Sequence, residues 1–160
     1  MTILILHGPN LNLLGLKSSK AGEKLTLDKV NRAIRLHVRN KDINLKIIQT
    51  HKEYIAINFI QRNRNSATGL IVIPTSWAKY NQTLLQTVKV CSLPTAAVYF
   101  DSKYNFGTSE EDTIISGDNI KSFTGKPIET IISAIDHIAC LLYTSPSPRD
   151  VSLSRMPSSA

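Results

Sequence analysis

The residues best placed to do chemistry lie in the loop at residues 7–15, which reads HGPNLNLLG. The loop directly follows the apolar run at residues 3–6, and a short apolar run closed by Gly-Pro is typical of a buried strand that ends abruptly. Asn10 and Asn12 then lie just past the carboxyl end of that strand, where open parallel sheets bind their ligands. An asparagine amide both donates and accepts hydrogen bonds, so the loop is suited to orienting a small, oxygen-rich ligand. An ordinary strand-to-helix turn explains the same residues equally well.

Composition indicates a folded domain. Of the 160 residues, 42% are hydrophobic and 19% are charged, and we expect one domain over residues 1–142. No apolar run approaches the roughly 18–20 residues of a membrane span, and the start of the chain lacks the basic region of a signal peptide. Cys91 and Cys140 belong to no CxxC or Cys/His cluster, which argues against a disulfide framework or a metal site and favours a cytoplasmic location.

The last stretch of the sequence, residues 143–160, differs from the rest. It is rich in Ser and Pro and has little periodicity, so we expect it to be disordered. It also resembles the out-of-frame translation of a sequencing-library adapter, which suggests an artefact.

The formal net charge of +7 raises two classes of partner, nucleic acid and small anionic ligands. The densest basic stretches, at residues 32–41 and 62–64, contain none of the interleaved aromatic residues that a single-strand platform needs. Solvated helix faces explain both stretches, so nucleic acid is an unlikely partner and a small anionic ligand is favoured.

Apolar runs alternate with stretches of helical periodicity along the chain. This alternation predicts βαβ units with right-handed crossovers, and therefore an α/β fold with a parallel sheet. The predicted strands span residues 3–6, 43–49, 69–73, 96–100 and 113–116, and the predicted helices span residues 27–39, 53–63, 82–90 and 127–142.

With these elements in place, the loop HGPNLNLLG resembles the signature of type II 3-dehydroquinate dehydratases, which is usually NGPNLNLLG. Further matches follow in order over roughly residues 2–140: Thr26, Leu27, Gln49, Glu53, Gly69, Pro74 and Pro94. The resemblance implies a flavodoxin-like three-layer sandwich with a parallel five-stranded sheet. It also implies a cytoplasmic homo-oligomer built from trimers, a dodecamer in the family. The implied activity removes water from 3-dehydroquinate to give 3-dehydroshikimate in the shikimate pathway, without a metal or organic cofactor.

The family's reaction needs a tyrosine base made acidic by an arginine, donors that hold the enolate, and a histidine that protonates the leaving hydroxyl. Asn10 matches the asparagine on the enolate side. Lys17 stands in place of the arginine, keeping its charge but losing its planar fork. Gly22 stands at or next to the position of the base tyrosine, where it cannot take a proton.

The acid side of the resemblance is also altered. The family's Asn-Pro after the third strand is Ile73-Pro74 here, and Lys79 replaces a following histidine. In the family's Glu-Val-His-x-Ser segment, Tyr99 replaces the acid histidine, with Ala97 and Asp101 at the flanking positions. Phe106 stands where a later arginine is expected.

Two hypotheses follow. The first is a dehydratase with a rearranged site, in which Asn10, Lys17 and Tyr99 are catalytic and the substrate is bound by Asn12, Pro74, Lys79 and Asp101. Lys17 or Lys79 beside Tyr80, Tyr99 or Tyr104 would lower the phenol pKa. Packing at an interface or capping of the sheet is the alternative for these tyrosines. His7 is either a new acid or base or a structural histidine, and His51 fits a helix-start hydrogen bond better than a catalytic dyad.

The second hypothesis is a non-catalytic relative that binds a small anionic metabolite or a protein partner.

Overall fold

The computed structural model describes residues 1–101 and 103–144. The predicted disordered tail therefore falls almost wholly outside the described residues. Five strands form one parallel sheet in the order β2-β1-β3-β4-β5. The strands are β1 (Thr2–His7), β2 (Asn44–Gln49), β3 (Gly69–Ile73), β4 (Thr95–Phe100) and β5 (Ile120–Gly125).

Helices connect the strands and cover both faces of the sheet. They are α1 (Leu14–Lys20), α2 (Leu27–Val38), α3 (Glu53–Asn63), α4 (Trp77–Tyr80), α5 (Gln82–Cys91) and α6 (Pro127–Thr144), with short 3₁₀ turns at Leu11–Leu13 and Glu110–Asp112. The prediction of an α/β sandwich with a five-stranded parallel sheet is confirmed. None of the helices in the described part of the chain is both long enough and apolar enough to span a membrane.

Side-chain alternation along each strand divides the core into two layers. One layer packs α2 and α6 against one sheet face, and its buried members include Ile3, Ile5, Ile34, Ile71, Ile73 and Ile138. The other packs α3, α4 and α5 against the opposite face, and its buried members include Leu4, Leu6, Ile60, Leu70, Val72 and Leu84. β3 is buried along its whole length, as expected for a central strand covered on both faces.

The order of the strands fixes where a ligand is expected. The chain runs from β1 outward to β2 on one side and then returns to β3 on the other. β1 and β3 pair in register, with His7 opposite Ile73, so their carboxyl ends emerge side by side. Loops diverge there in opposite directions, and ligands of open α/β sheets bind at such a switch point.

The predicted fifth strand at residues 113–116 is wrong, because β5 is Ile120–Gly125. The Thr113 hydroxyl oxygen accepts a hydrogen bond from the Ile115 amide at 3.0 Å, so this amide is bonded within the segment and not to a neighbouring strand. The Ile114 amide meanwhile donates to the Ala78 carbonyl at 2.8 Å, tying the segment to α4 rather than to a strand. β5 escaped prediction because it is an edge strand with exposed and half-buried residues.

Candidate active site at the carboxyl edge of the sheet

Residues at the ends of β2 and β3 hold the loop after β1. The Gly8 amide donates to the Ile73 carbonyl at 2.8 Å, Gln49 Nε2 donates to the Gly8 carbonyl at 3.0 Å, and the Thr75 hydroxyl donates to the Pro9 carbonyl at 3.0 Å. A Cβ on residue 8 would lie 2.7 Å from the Pro74 carbonyl oxygen, so only glycine fits there. The loop is thus fixed in place before any ligand arrives.

Asn10 is the most strained residue of this loop. It is exposed and has a left-handed backbone with a φ of 71°, a conformation that asparagine tolerates better than most residues. Its backbone amide donates to Nδ1 of His51 at 3.3 Å. The side chain of Asn12 is exposed on the same loop. The side-chain amides of Asn10 and Asn12 are therefore available to a ligand at the switch point.

His51 has a different role from the predicted helix-start bond. Because its Nδ1 accepts the Asn10 amide proton, the ring's own N–H is on Nε2. The ring is exposed, so this N–H is a donor available to a ligand, whereas the Asn10 backbone N–H is used in the bond to Nδ1. The sequence signal that finds it is its position just past the carboxyl end of β2, at the edge where Asn10 follows β1.

Tyr99 lies in the core layer of α3, α4 and α5 and is only 2% exposed. Its hydroxyl donates to the Thr113 hydroxyl oxygen at 2.7 Å, and Thr113 in turn donates to the Ala78 carbonyl at 3.3 Å. Burial raises the pKa of Tyr99, the hydrogen bond with Thr113 opposes this rise, and the charge of Glu110 adds to it. The expected lowering of the phenol pKa is therefore wrong for Tyr99, which is neutral at physiological pH.

Of the two lysines expected to lie beside a phenol, Lys17 lies over a phenylalanine ring and Lys79 lies over Tyr80, one of the three tyrosines proposed. Lys17 Nζ is 5.5 Å from the centre of the Phe106 ring, and Lys79 Nζ is 5.7 Å from the centre of the Tyr80 ring. Lys79 and Tyr80 are both exposed, so their contact is a surface one.

The segment that carries the base tyrosine in the family folds tightly around a buried serine. The Ser18 hydroxyl donates to the Leu25 carbonyl at 2.7 Å and accepts from the Leu25 amide at 3.0 Å. Gly22 lies in the exposed turn of this segment with a φ of 79°, and the space where a side chain would point is open. No side chain that could take a proton projects from this position.

A small cavity lies at the carboxyl ends of β3 and β4. Its volume is about 10 Å³, which is room for one water molecule and not for a six-membered carbon ring. Neither Asn10 nor Lys79 lines it. Its walls are formed by Ile73, Thr75, Val98, Tyr99, Phe100, Phe106 and Thr108.

Asp101 and Pro74 frame this edge in different ways. Asp101 follows β4 directly, and its Oδ1 is buried without a hydrogen-bond partner among the described residues. Pro74 is buried, and its carbonyl presses against Gly8. The structure therefore gives Pro74 a packing role and leaves a carboxylate oxygen of Asp101 unpaired.

His7 is a fully buried histidine at the end of β1. Its Nε2 donates to Asn31 Oδ1 of α2 at 2.9 Å, whereas Nδ1 has no partner among the described residues. Burial lowers the pKa of His7 to about 4, although the bond to Asn31 opposes the shift. The ring is therefore neutral and sealed from solvent, which favours the structural interpretation over an acid or base.

The sequence and the structure are both similar to known dehydroquinases. The family model described as "Dehydroquinase class II" matches residues 1–139. The 3-dehydroquinate dehydratase of Clostridium botulinum (strain 657 / Type Ba4) is 24% identical over 136 residues, which cover 85% of this chain and 92% of that protein. That of Halothermothrix orenii is 25% identical over 140 residues, covering 88% and 95%.

Crystal structures agree at the level of the fold. The type II dehydroquinase of Butyrivibrio crossotus superposes with a TM-score of 0.74 at 23% identity, covering 87% of this chain and 97% of that one. A 3-dehydroquinate dehydratase-like protein from Bifidobacterium longum gives a TM-score of 0.62 at 16% identity, covering 89% and 98%. The match of the family model over nearly the whole described chain shows that this protein belongs to the class II dehydroquinase family.

Proposed function

We propose that the protein binds a small polyhydroxylated carboxylate of the 3-dehydroquinate class at its strand edge, without dehydrating it by the family's tyrosine and histidine route. The curated relatives named 3-dehydroquinate dehydratase support this class of ligand. The prearranged loop of Asn10 and Asn12 supports its place of binding.

The binding half of the proposal follows from complementary groups at the edge. The amides of Asn10 and Asn12 suit hydroxyl and carbonyl oxygens. Lys17 and Lys79 supply positive charge for a carboxylate, within a chain whose formal net charge is +7. The buried, unpaired oxygen of Asp101 is an acceptor for a ligand hydroxyl.

Gly22 is the observation that supports the absence of the family's dehydration route, because it leaves the base position without a side chain in an open turn. The acid position holds Tyr99, whose hydroxyl already donates to Thr113 and whose pKa is raised by burial. The position of the acid's carboxylate partner holds the buried Ala97. General acid–base catalysis needs groups with a pKa near the working pH, and these three positions supply none.

A dehydratase with a rearranged site is the second candidate, and His51 is the observation that favours it. The Nε2–H of His51 and the side-chain amide of Asn10 offer two donors that suit a developing enolate oxygen, since the Asn10 backbone N–H is used in the bond to Nδ1 of His51. In this scheme Asn10 and Lys17 stabilise the enolate, and the neutral Tyr99 gives its proton to the leaving hydroxyl. The base would have to come from elsewhere at the edge.

The resemblance also carries predictions for the whole particle. We expect a homo-oligomer built from trimers, of which a dodecamer is the family's form, in the cytoplasm. Light scattering on the purified protein tests the assembly, and a monomer would contradict it.

Calorimetric titration of the full chain with 3-dehydroquinate tests the proposed ligand. We expect saturable binding that weakens about tenfold or more in Asn10→Ala, because the ligand loses a paired amide. Asn65→Ala is the matched control, since Asn65 is an exposed asparagine in the turn before β3, at the opposite edge of the sheet. Equal affinity of Asn10→Ala and Asn65→Ala would contradict the proposed place of binding.

A further inference from the structure

We propose that residues 104–108 form a plug in the strand-edge site, with Phe106 occupying the space into which a ligand's ring would enter. We call these residues the plug segment. The inference rests on the proposed function for the identity of the ligand, but not for the existence of the plug. It makes Phe106 the residue that decides which molecules reach the site.

The packing of Phe106 is the first support for the plug. Its ring packs against the core layer of α2 and α6 and lines the cavity at the ends of β3 and β4, together with Ile73 and Phe100. That cavity measures about 10 Å³, whereas pockets for small organic ligands span roughly 300–1,000 Å³. Removing the Phe106 ring would enlarge this cavity.

Two contacts fasten the plug segment to the segment after β1. Lys17 Nζ lies over the face of the Phe106 ring, 5.5 Å from its centre. The Tyr104 hydroxyl, on a side chain only 3% exposed, donates to a carboxylate oxygen of Glu23. Both partners, Lys17 and Glu23, belong to the segment in which the family keeps its base. The two segments therefore close over the strand edge as one unit.

The plug segment has the backbone features of a piece that can pivot. Gly107 is exposed with a φ of 113°, a conformation that is open to glycine and strained for other residues. Its amide donates to the Asn105 side chain at 2.7 Å within the segment itself. The Tyr104 amide donates to the Asp101 carbonyl at 2.8 Å. A rotation about Gly107 would move Phe106 without breaking the strands.

The Lys17–Phe106 contact explains how a carboxylate would open the site. Lys17 holds Phe106 through the weak attraction of an ammonium group for a ring face. A ligand carboxylate pairs with the same ammonium through charge-assisted hydrogen bonds, which are stronger. Anionic ligands would thus release the plug, whereas neutral polyols of the same size would not.

Hydrogen exchange of the ligand-free full chain tests the plug directly. The backbone amides of Glu23 and Leu25 both donate to Ser18, within the segment after β1 that fastens the plug segment. Faster exchange of these two amides therefore reports loosening of that segment. We expect their exchange to accelerate about tenfold in Phe106→Ala and in Tyr104→Phe, because each variant removes one fastening contact. Phe123→Ala is the control, since Lys121 lies over Phe123 at 5.6 Å on β5. Unchanged exchange in both variants would overturn the plug.

Titration with 3-dehydroquinate separates the plug from its ligand. Phe106→Ala should bind about tenfold more tightly than the wild type, because the closed state no longer competes, and Phe123→Ala should bind as the wild type does. Phe106→Leu, which keeps apolar volume, serves if the alanine variant does not fold, and a smaller gain is expected. Faster exchange without binding in any variant would uphold the plug and overturn the proposed ligand. Tighter binding equally in Phe106→Ala and Phe123→Ala would overturn the plug.

Discussion

The Asn10 amide donates a hydrogen bond to Nδ1 of His51, 3.3 Å away, and so joins two loops that leave neighbouring strands 41 residues apart. The bond holds Asn10 in its left-handed conformation and fixes the free N–H of His51 on Nε2. The bond thereby positions the Nε2–H of His51 as a donor at the switch point of the sheet before a ligand binds.

Removing the imidazole should weaken ligand binding more than it weakens the fold. In His51→Ala we expect 3-dehydroquinate affinity to fall about fivefold, because the loop loses one hydrogen bond of about 1 kcal/mol. His51→Asn should recover part of this loss, since its side-chain oxygen can accept the same amide proton. Calorimetry measures the affinity and thermal unfolding the stability. Equal affinity in the alanine variant and the wild type would show that the hydrogen bond between Asn10 and His51 does not contribute to binding.

A side chain at residue 8 should cost stability. In Gly8→Ala the new methyl would lie 2.7 Å from the Pro74 carbonyl oxygen and 2.8 Å from that of Ile73. The backbone of the loop must shift, so we expect a loss of about 1–3 kcal/mol in the free energy of unfolding. Urea unfolding measures it, with Gly22→Ala as the control because its methyl enters open space. The control should lose about 1 kcal/mol or less through its positive φ alone. A larger loss in the control than in Gly8→Ala would contradict the explanation.

Tyr99 should behave as a buried structural phenol. In Tyr99→Phe we expect a loss of about 1 kcal/mol in the free energy of unfolding, because its hydrogen bond to Thr113 disappears. An alkaline absorbance titration of the wild type minus that of the variant isolates this one phenol, and its midpoint should lie above pH 10.0. A midpoint near neutral pH would restore Tyr99 as a candidate base.

The pH dependence of stability should carry the signature of His7. Its pKa falls from 6.5 in the unfolded chain to about 4 in the fold, so the unfolded state binds more protons between these values. The stabilisation is therefore complete above pH 6.5 and is lost as the pH falls toward 4. The loss at pH 5 is at most about 2 kcal/mol.

The comparison with His7→Asn isolates this effect. The pKa of His137 is also lowered, by burial and by the charge of Lys121, so the wild type carries a second contribution of the same sign. Urea unfolding at pH 7 and pH 5 should give a smaller difference in the variant than in the wild type. The same difference in both proteins would remove His7 as the cause.

Most of the fold could be predicted because its central strands have a clear sequence pattern. β1 and β3 are continuous apolar runs closed by Gly-Pro and by Pro, and sequence alone placed both to within one or two residues. β5 was misplaced because an edge strand with polar side chains has a weaker pattern than the apolar loop before it. Asn10 could be singled out from the sequence because turn chemistry is local, and its role as a ligand contact stays a prediction.

The state of the site could not be predicted, since it depends on packing across the sheet. The sequence places Tyr99 in a strand beside lysines, but only the fold shows that its hydroxyl points to Thr113. Phe106 stands out in the sequence only as the replacement of an expected arginine, and its place in the cavity depends on the distant residues Lys17, which lies over its ring, and Ile73, which lines the same cavity. His51 likewise becomes informative only once β1 and β2 are neighbours.

We propose that this member of the class II dehydroquinase family binds a ligand of the 3-dehydroquinate class without dehydrating it by the family's tyrosine and histidine route. The most direct test mixes the purified full chain with 3-dehydroquinate at high protein concentration, follows the absorbance of the enone product, and titrates the same mixture calorimetrically. The account predicts saturable heat of binding and no enone. Enone formation that depends on the amount of protein and is lost in Tyr99→Phe would contradict it and establish the rearranged dehydratase instead.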